Sequence, residues 1–151
     1  MRVFGGAVVW GCMMVASALV SLLLQQDRVL DRHVALILAF YFAGAFLAYV
    51  PVRLIVSWAN RRLPASLRFL FALIMLAGGT LAGTAFVLAL DYRAYYAAWH
   101  ASAFSRIWFY QQFYTLLGST FQYLVIGTRL YWPLGVLFLI VASWRLGRKA
   151  S

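Results

Sequence analysis

Three long apolar runs limit what this chain can fold into more than any other feature of its sequence. Residues 3–24 contain no charged residue, and residues 67–90 contain only Arg68, next to their start. The run at 34–58 contains one charged residue, Arg53, near its far end. Because about 20 apolar residues in a helix cross a hydrocarbon core of roughly 30 Å, each run is long enough to span a membrane.

A fourth span is predicted at 123–144, where the sequence is apolar apart from Arg129. The preceding stretch, 107–127, is also apolar but is interrupted by glutamines, and a fifth span there stays open as an alternative. We therefore predict an all-α integral membrane protein with a four-helix transmembrane bundle, forming a single domain over residues 1–151.

The first run has a second interpretation, a cleaved signal peptide. Ala16-Ser17-Ala18 has the small-x-small form of a cleavage site. Residues 19–24 continue the apolar run, however, where a mature N-terminus is normally polar. A retained first helix is therefore favoured.

The composition supports the membrane prediction and argues against other classes. Hydrophobic residues make up 66% of the chain and charged residues 11%, and the mean hydropathy is +0.87, which is unlike a water-soluble domain. The formal net charge of +10 is typical of a nucleic-acid-binding protein when the protein is soluble, but here the basic residues flank the apolar runs, as topology signals do. We expect no nucleic-acid partner.

Cys12 is the only cysteine, which excludes an internal disulfide.

The distribution of Lys and Arg predicts the orientation, because cytoplasmic loops carry the excess of positive charge. The link between the second and third runs and the C-terminal segment each contain three basic residues: Arg61, Arg62 and Arg68, and Arg145, Arg148 and Lys149. The links at 25–33 and 91–106 combine arginines with aspartates and are assigned to the outside. The sequence thus predicts a multi-pass protein of the bacterial inner membrane with both termini in the cytoplasm.

Small residues at helical spacing predict close packing of the second and third helices. Gly79 and Gly83 form a GxxxG element, and Gly44 and Ala48 stand at a matching spacing in the second helix. In lipid, small residues let helix backbones approach and gain van der Waals contact. This face either packs inside one bundle or joins copies of the chain as a homo-oligomer, and the sequence leaves both open.

An aromatic segment follows the third run. Tyr92, Tyr96 and Trp99 recur at the spacing of one helical face, and Tyr and Trp side chains prefer the headgroup level of a bilayer. We therefore predict an interfacial helix at 92–113, on the outer leaflet. This helix either anchors the bundle in the membrane lipids or forms a docking platform for another membrane protein or a lipid-linked substrate.

Two arginines, Arg53 and Arg129, lie within the predicted spans. A charge in hydrocarbon is costly, so each is a functional candidate unless it reaches the headgroups by snorkelling. Arg129 is the first candidate for binding a phosphate or carboxylate, since Gly127 and Pro133 can open the helix beside it and a guanidinium binds such groups through two hydrogen bonds. The predicted substrate-binding or lipid-binding residues are Arg129, Arg53, Tyr92, Tyr96, Trp99 and Arg106.

The remaining ionisable residues do not form a recognisable catalytic or metal site. Asp27 and Asp31 are one helical turn apart, but Arg28 and Arg32 are interleaved with them and neutralise their charge. Both histidines fall on the outer side, which argues against a haem held between them inside the bundle. No spacing of serine, histidine and aspartate predicts a nucleophile. An enzyme is disfavoured, and we expect no metal or cofactor.

Three functions remain as hypotheses. The first is a non-catalytic accessory or assembly subunit that binds another membrane protein through its small-residue faces and aromatic segment. The alternative is a small oligomeric transporter or flippase for an anionic lipid-linked substrate. The third is a holin-like pore former, which ranks last because no span contains a polar, pore-lining stripe.

Overall fold

The computed structural model describes residues 2–25 and 29–148, and the regular structure of this part of the chain is entirely helical. Its elements are α1 at Arg2–Val20, a π-helical turn at Ser21–Gln25, α2 at Arg32–Ala59, α3 at Ala65–Tyr96, a 3₁₀ turn at Ala97–Trp99, α4 at Arg106–Val125, a 3₁₀ turn at Gly127–Tyr131, and α5 at Leu134–Gly147. The residues named above that lie outside the described ranges are Asp27, Arg28 and Lys149.

Three helical segments are long and apolar enough to cross a membrane: Val3–Leu24, Arg32–Ala59 and Ala65–Trp99. They correspond to the first three predicted spans, and the third is longer than expected because α3 continues past Asp91. Asp31 begins α2 by accepting a hydrogen bond from the backbone N–H of Val34 at 2.7 Å. This carboxylate therefore serves as a helix cap.

α2 and α3 run antiparallel and form the most extensive helix pair of the described fold. A Cβ atom at Gly44 would collide with the backbone of Thr84, and one at Gly83 would lie 2.5 Å from the carbonyl oxygen of Gly44. A Cβ atom at Gly79 or Gly83 would also meet the side chain of Ala48. The four small residues singled out in the sequence thus meet one another within one chain.

α1 packs against this pair, and a chain of two hydrogen bonds joins α1 to α3 in the buried core. The indole N–H of Trp10 donates to the hydroxyl of Thr80 at 3.0 Å, and that hydroxyl donates to the carbonyl oxygen of Leu76 at 2.7 Å. α5 lies mainly against α3 and α1. The Asn60 side-chain amide donates to the carbonyl oxygen of Leu146 at 2.8 Å, which ties the end of α5 to the end of α2.

The chain does not form the single helix predicted over 123–144. α4 ends at Val125, a 3₁₀ turn follows, and α5 begins at Leu134. Pro133 has no N–H to continue a helical hydrogen-bond ladder, so α5 starts anew after it. The fourth predicted span is therefore divided into the end of α4, an irregular link and a short apolar helix.

Side chains of α1 and α2 bind the backbone groups that this break leaves free. The Ser17 hydroxyl donates to the carbonyl oxygen of Leu130 at 3.1 Å and accepts from the N–H of Gly135 at 2.8 Å. The Tyr41 hydroxyl donates to the carbonyl oxygen of Gly127 at 2.5 Å. Irregular backbone is tolerated in an apolar interior only where such partners are present. The break is consequently a fixed part of the core.

Residues 92–113 do not form the single interfacial helix predicted from the aromatic spacing. α3 continues to Tyr96, the chain turns over at 97–105, and α4 returns antiparallel along α3. Phe104 has a φ of 66°, which helps to reverse the chain. Ser105 then accepts a hydrogen bond from the next helical turn and starts α4. We refer to residues 91–125 as the aromatic hairpin.

Candidate functional site

The polarity of α4 is reversed relative to a surface helix in water. Its polar residues Gln111, Gln112, Thr115 and Ser119 lie on the side that meets α3, and they are buried or half-buried. The open side consists of large apolar or aromatic side chains, each more than half exposed: Phe109, Tyr110, Phe113, Tyr114, Leu117, Phe121 and Leu124. Water cannot stabilise such an arrangement, so the open face of α4 must meet lipid or protein.

The inward polar residues fix the turn of the aromatic hairpin. The backbone N–H of Ala101 donates to Gln111 Oε1 at 2.8 Å, and Gln112 Nε2 lies 2.8 Å from His100 Nδ1. Thr115 Oγ1 lies 3.4 Å from the other ring nitrogen of His100. The glutamines that interrupt the apolar run in the sequence are therefore the contacts that hold the hairpin closed.

Four aromatic residues form one cluster at the end of α3. The ring centroids of Tyr95 and Tyr96 are 5.1 Å apart, those of Tyr95 and Trp99 are 5.3 Å apart, and those of Tyr92 and Tyr96 are 6.1 Å apart. Tyr95 is 66% exposed and Trp99 is 65% exposed. The cluster is thus self-packed, and Tyr95 and Trp99 form its outward side.

A cavity of about 310 Å³ lies where the aromatic hairpin meets the start of α2. Its polar wall contains Asp31, His33, Tyr92 and Gln122, and the rest of the wall is mainly apolar. The Tyr92 hydroxyl donates to Gln122 Oε1, which joins α3 to α4 at the cavity wall. The cavity has the size and amphipathic lining of a small-molecule or lipid site.

A hydrogen-bonded group of tyrosines packs beside this cavity. The Tyr123 hydroxyl donates to that of Tyr131 at 3.1 Å, and the Tyr131 hydroxyl lies 2.9 Å from Thr84 Oγ1. The Tyr41 ring is 5.1 Å from the Tyr131 ring. These hydroxyls bond to one another and to the broken backbone, so their arrangement supports the fold around the irregular link.

The predicted binding residues are dispersed over the molecule. Arg129 is exposed on the 3₁₀ turn before α5 and does not line the 310 Å³ cavity. Arg106 is the exposed first residue of α4. Arg53 is half-buried on α2 and lines a different cavity, together with Arg145. The predicted binding residues that the structure brings into one cluster are Tyr92, Tyr96 and Trp99.

Sequence reasoning missed the tyrosine group and the placement of Arg53 and Arg145 at one cavity. The three glutamines in the otherwise apolar run at 107–127 indicated that one side of this helix has polar contacts. Such residues need polar partners when a helix is buried on one side. The placement of the two arginines at one cavity had no local signal, since 91 residues lie between them in the sequence.

Among residues 2–25 and 29–148, no group of three His, Cys, Asp or Glu side chains is arranged to hold a metal ion. Cys12 is exposed on α1.

Comparisons with protein-family models, with curated protein sequences and with solved structures find no match to this chain.

Proposed function

We propose that this chain is a multi-pass protein of the bacterial inner membrane and that it acts as a non-catalytic accessory or assembly subunit of a larger membrane system. Its docking surface in this proposal is the outer part of the open face of α4, around Phe109, Phe113 and Tyr114. The observation that carries the proposal is the reversed polarity of α4, whose polar side chains face α3 and whose large apolar side chains face outward.

The membrane arrangement follows from the ends of the helices. In the proposal α1, α2 and α3 cross the bilayer, and the 3₁₀ turn with α5 forms a fourth path across it, giving a four-helix bundle. The bond between Asn60 and Leu146 brings the end of α2 beside the end of α5, so Arg61, Arg62 and Arg145 lie at one end of the molecule. Excess positive charge favours the cytoplasmic side for that end, and with it both termini.

The length of α3 supports a protein as the occupant of the open face. α3 has 32 residues, and at 1.5 Å per residue it measures about 48 Å, whereas the hydrocarbon core is roughly 30 Å thick. Asp91 and Arg93 are exposed on α3 and mark the level at which it leaves the hydrocarbon in this arrangement.

The part of α4 that packs beyond this level is what a partner would cover. Gln112 and Thr115 bond to His100, which follows Asp91 by nine positions. The headgroup layer adds only about 5–7 Å on each side of the hydrocarbon. Phe109, Phe113 and their neighbours therefore stand above the lipid tails, where another protein can bury their apolar surface.

A non-catalytic role agrees with how the buried polar groups are used. Trp10 binds Thr80, and Ser17 binds the backbone on both sides of the break. The hydroxyls of Tyr123 and Tyr131 bond to each other. Each of these groups already has a structural partner, which supports an assembly role over a catalytic one.

Photo-crosslinking in intact membranes tests the docking surface. Phe113 on α4 and Ile74 on α3 are each 60% exposed, so p-benzoylphenylalanine at these positions provides a matched pair. We expect a discrete protein adduct from position 113 and lipid adducts from position 74. Lipid adducts from both positions would contradict the proposal.

Reconstituted vesicles test the non-catalytic part separately. The purified chain should produce no flux of an anionic lipid-linked substrate. Flux that Arg53→Gln or Arg129→Gln abolishes would support the transporter hypothesis and overturn the accessory role, whatever the crosslinking result.

A further inference from the structure

A second cavity, of about 330 Å³, lies at the basic end of the molecule between α1, α2 and α5. Two guanidinium groups line it, Arg53 from α2 and Arg145 from α5, together with the phenol ring of Tyr49. Among the described residues that line it, none is acidic. We propose that this cavity binds the phosphate of an anionic glycerophospholipid, with an acyl chain along its apolar wall.

The charge balance of the cavity calls for an anion. Two positive side chains that share one cavity repel each other and are stabilised by a negative ligand. The described acidic residues, Asp31 and Asp91, stand at the other end of the molecule, where Asp31 lines the 310 Å³ cavity. A phosphate that accepts hydrogen bonds from two guanidinium groups supplies the missing charge.

The Tyr49 hydroxyl provides a further hydrogen-bonding group. The absence of a Cβ at Gly6 allows this hydroxyl to come close to α1, since a Cβ atom there would lie only 2.7 Å from the oxygen. No hydrogen bond to another part of residues 2–25 and 29–148 engages the hydroxyl, and it is therefore free to donate to a phosphate oxygen.

The remaining wall favours a lipid over a free anion. It is apolar and includes Trp10, Met13 and Val141. Val9 and Val141 line the cavity and are 53% and 48% exposed, so the cavity opens on the side of the bundle that faces the membrane in the proposed arrangement. An acyl chain can reach this opening directly from the bilayer, and basic pockets between membrane helices at the cytoplasmic side are suited to anionic headgroups.

The test measures lipid binding to the full chain in detergent by native mass spectrometry. The probes are dioleoylphosphatidylglycerol, dioleoylphosphatidylcholine and inorganic phosphate. We expect phosphatidylglycerol to bind at least about tenfold more tightly than phosphatidylcholine, because the two lipids share the same phosphate but the choline group of phosphatidylcholine adds a positive charge beside the two guanidinium groups. Equal binding of the two lipids would overturn the proposal, as would displacement of phosphatidylglycerol by millimolar inorganic phosphate, which would identify a free-anion site.

Two variants with the same change in charge locate the site. Arg53→Gln with Arg145→Gln should abolish the tenfold preference, whereas Arg61→Gln with Arg62→Gln, at the same end but outside the cavity lining, should change it less than twofold. An equal loss in both variants would show attraction by general surface charge and overturn the site.

A steric variant keeps the test decisive if the double arginine variant fails to fold. Gly5 lines the cavity, and a Cβ atom there meets no atom within 4 Å. Gly5→Leu should therefore fill the cavity while leaving both arginines in place. We expect it to reduce the preference for phosphatidylglycerol at least fivefold, and an unchanged preference in a folded Gly5→Leu protein would overturn the proposal.

Discussion

Replacing Ser17 by alanine should destabilise this protein far more than the loss of one hydroxyl from a helix usually does. Ser17 is 1% exposed and its hydroxyl makes two hydrogen bonds, to the carbonyl oxygen of Leu130 and from the N–H of Gly135. Alanine leaves both backbone groups buried without a partner. Each unpaired group costs about 1–3 kcal/mol, so we expect a loss of about 2–6 kcal/mol in the free energy of unfolding.

The chain provides two controls with the same chemical change. Ser57 is exposed and its hydroxyl donates at 2.7 Å to the carbonyl oxygen of Arg53 within its own helix, so Ser57→Ala should cost less than about 0.5 kcal/mol. Ser143 is fully buried and its Oγ has no hydrogen-bond partner among the described residues. Ser143→Ala should therefore leave stability unchanged or raise it by up to about 1 kcal/mol.

Reversible unfolding in mixed micelles of dodecyl maltoside and sodium dodecyl sulfate, followed by circular dichroism, measures all three variants. We expect Ser17→Ala to be the least stable variant, with Ser57→Ala near the wild type and Ser143→Ala at or above it. If Ser17→Ala and Ser57→Ala unfold at the same detergent fraction, the Ser17 hydroxyl does not hold the irregular link.

Two further perturbations address the helix pair and the aromatic hairpin. Gly83→Leu should lower the free energy of unfolding by about 3 kcal/mol or more, since even a Cβ atom there lies 2.5 Å from the carbonyl oxygen of Gly44. The control is Gly118→Ala, where a Cβ atom meets nothing within 4 Å. It should be neutral or stabilising in the same unfolding assay. Gln112→Leu removes the bond to His100 and should lower the free energy of unfolding by about 1 kcal/mol. Amide hydrogen exchange at 100–105 should become several-fold faster. Unchanged exchange there would mean that the turn does not depend on this contact.

The first three spans were predictable because each is encoded locally. Charge-free runs of about 20 residues have few alternatives to a membrane helix, and the structure contains long apolar helices at those positions. The contact between α2 and α3 was also predictable from the sequence, since Gly44 and Gly83 each stand at the spacing that close helix contact needs.

The divided fourth span could not be predicted because its partners are distant in sequence. Gly127 and Pro133 indicated a weak point in the helix, but the groups that stabilise a break there are Ser17 and Tyr41, on other helices. Without those partners a continuous helix is the lower-energy choice in lipid. The prediction of one helix over 123–144 was therefore reasonable from local pattern and was overturned by tertiary hydrogen bonds.

The aromatic hairpin shows a similar limit. The spacing of Tyr92, Tyr96 and Trp99 indicated one helical face, and these residues do lie close together at the end of α3. The reversal at 97–105 depends on bonds from Gln111 and Gln112 to residues of the turn. Pattern alone does not distinguish a glutamine that faces such a turn from one that interrupts a span.

The central claim is that the outer part of the open face of α4, around Phe113 and Tyr114, stands outside the bilayer and is covered by another protein. Cysteine labelling with a membrane-impermeant maleimide tests both parts, in a Cys12→Ala background that removes the native thiol. Tyr114→Cys and Ile74→Cys are matched in exposure, at 66% and 60% for the native side chains. Position 114 should be protected in native membranes and labelled after purification into liposomes, while position 74 should stay unlabelled in both. Labelling of position 114 in native membranes would show that no partner covers it, and no labelling in liposomes would place α4 in lipid; either result contradicts the claim.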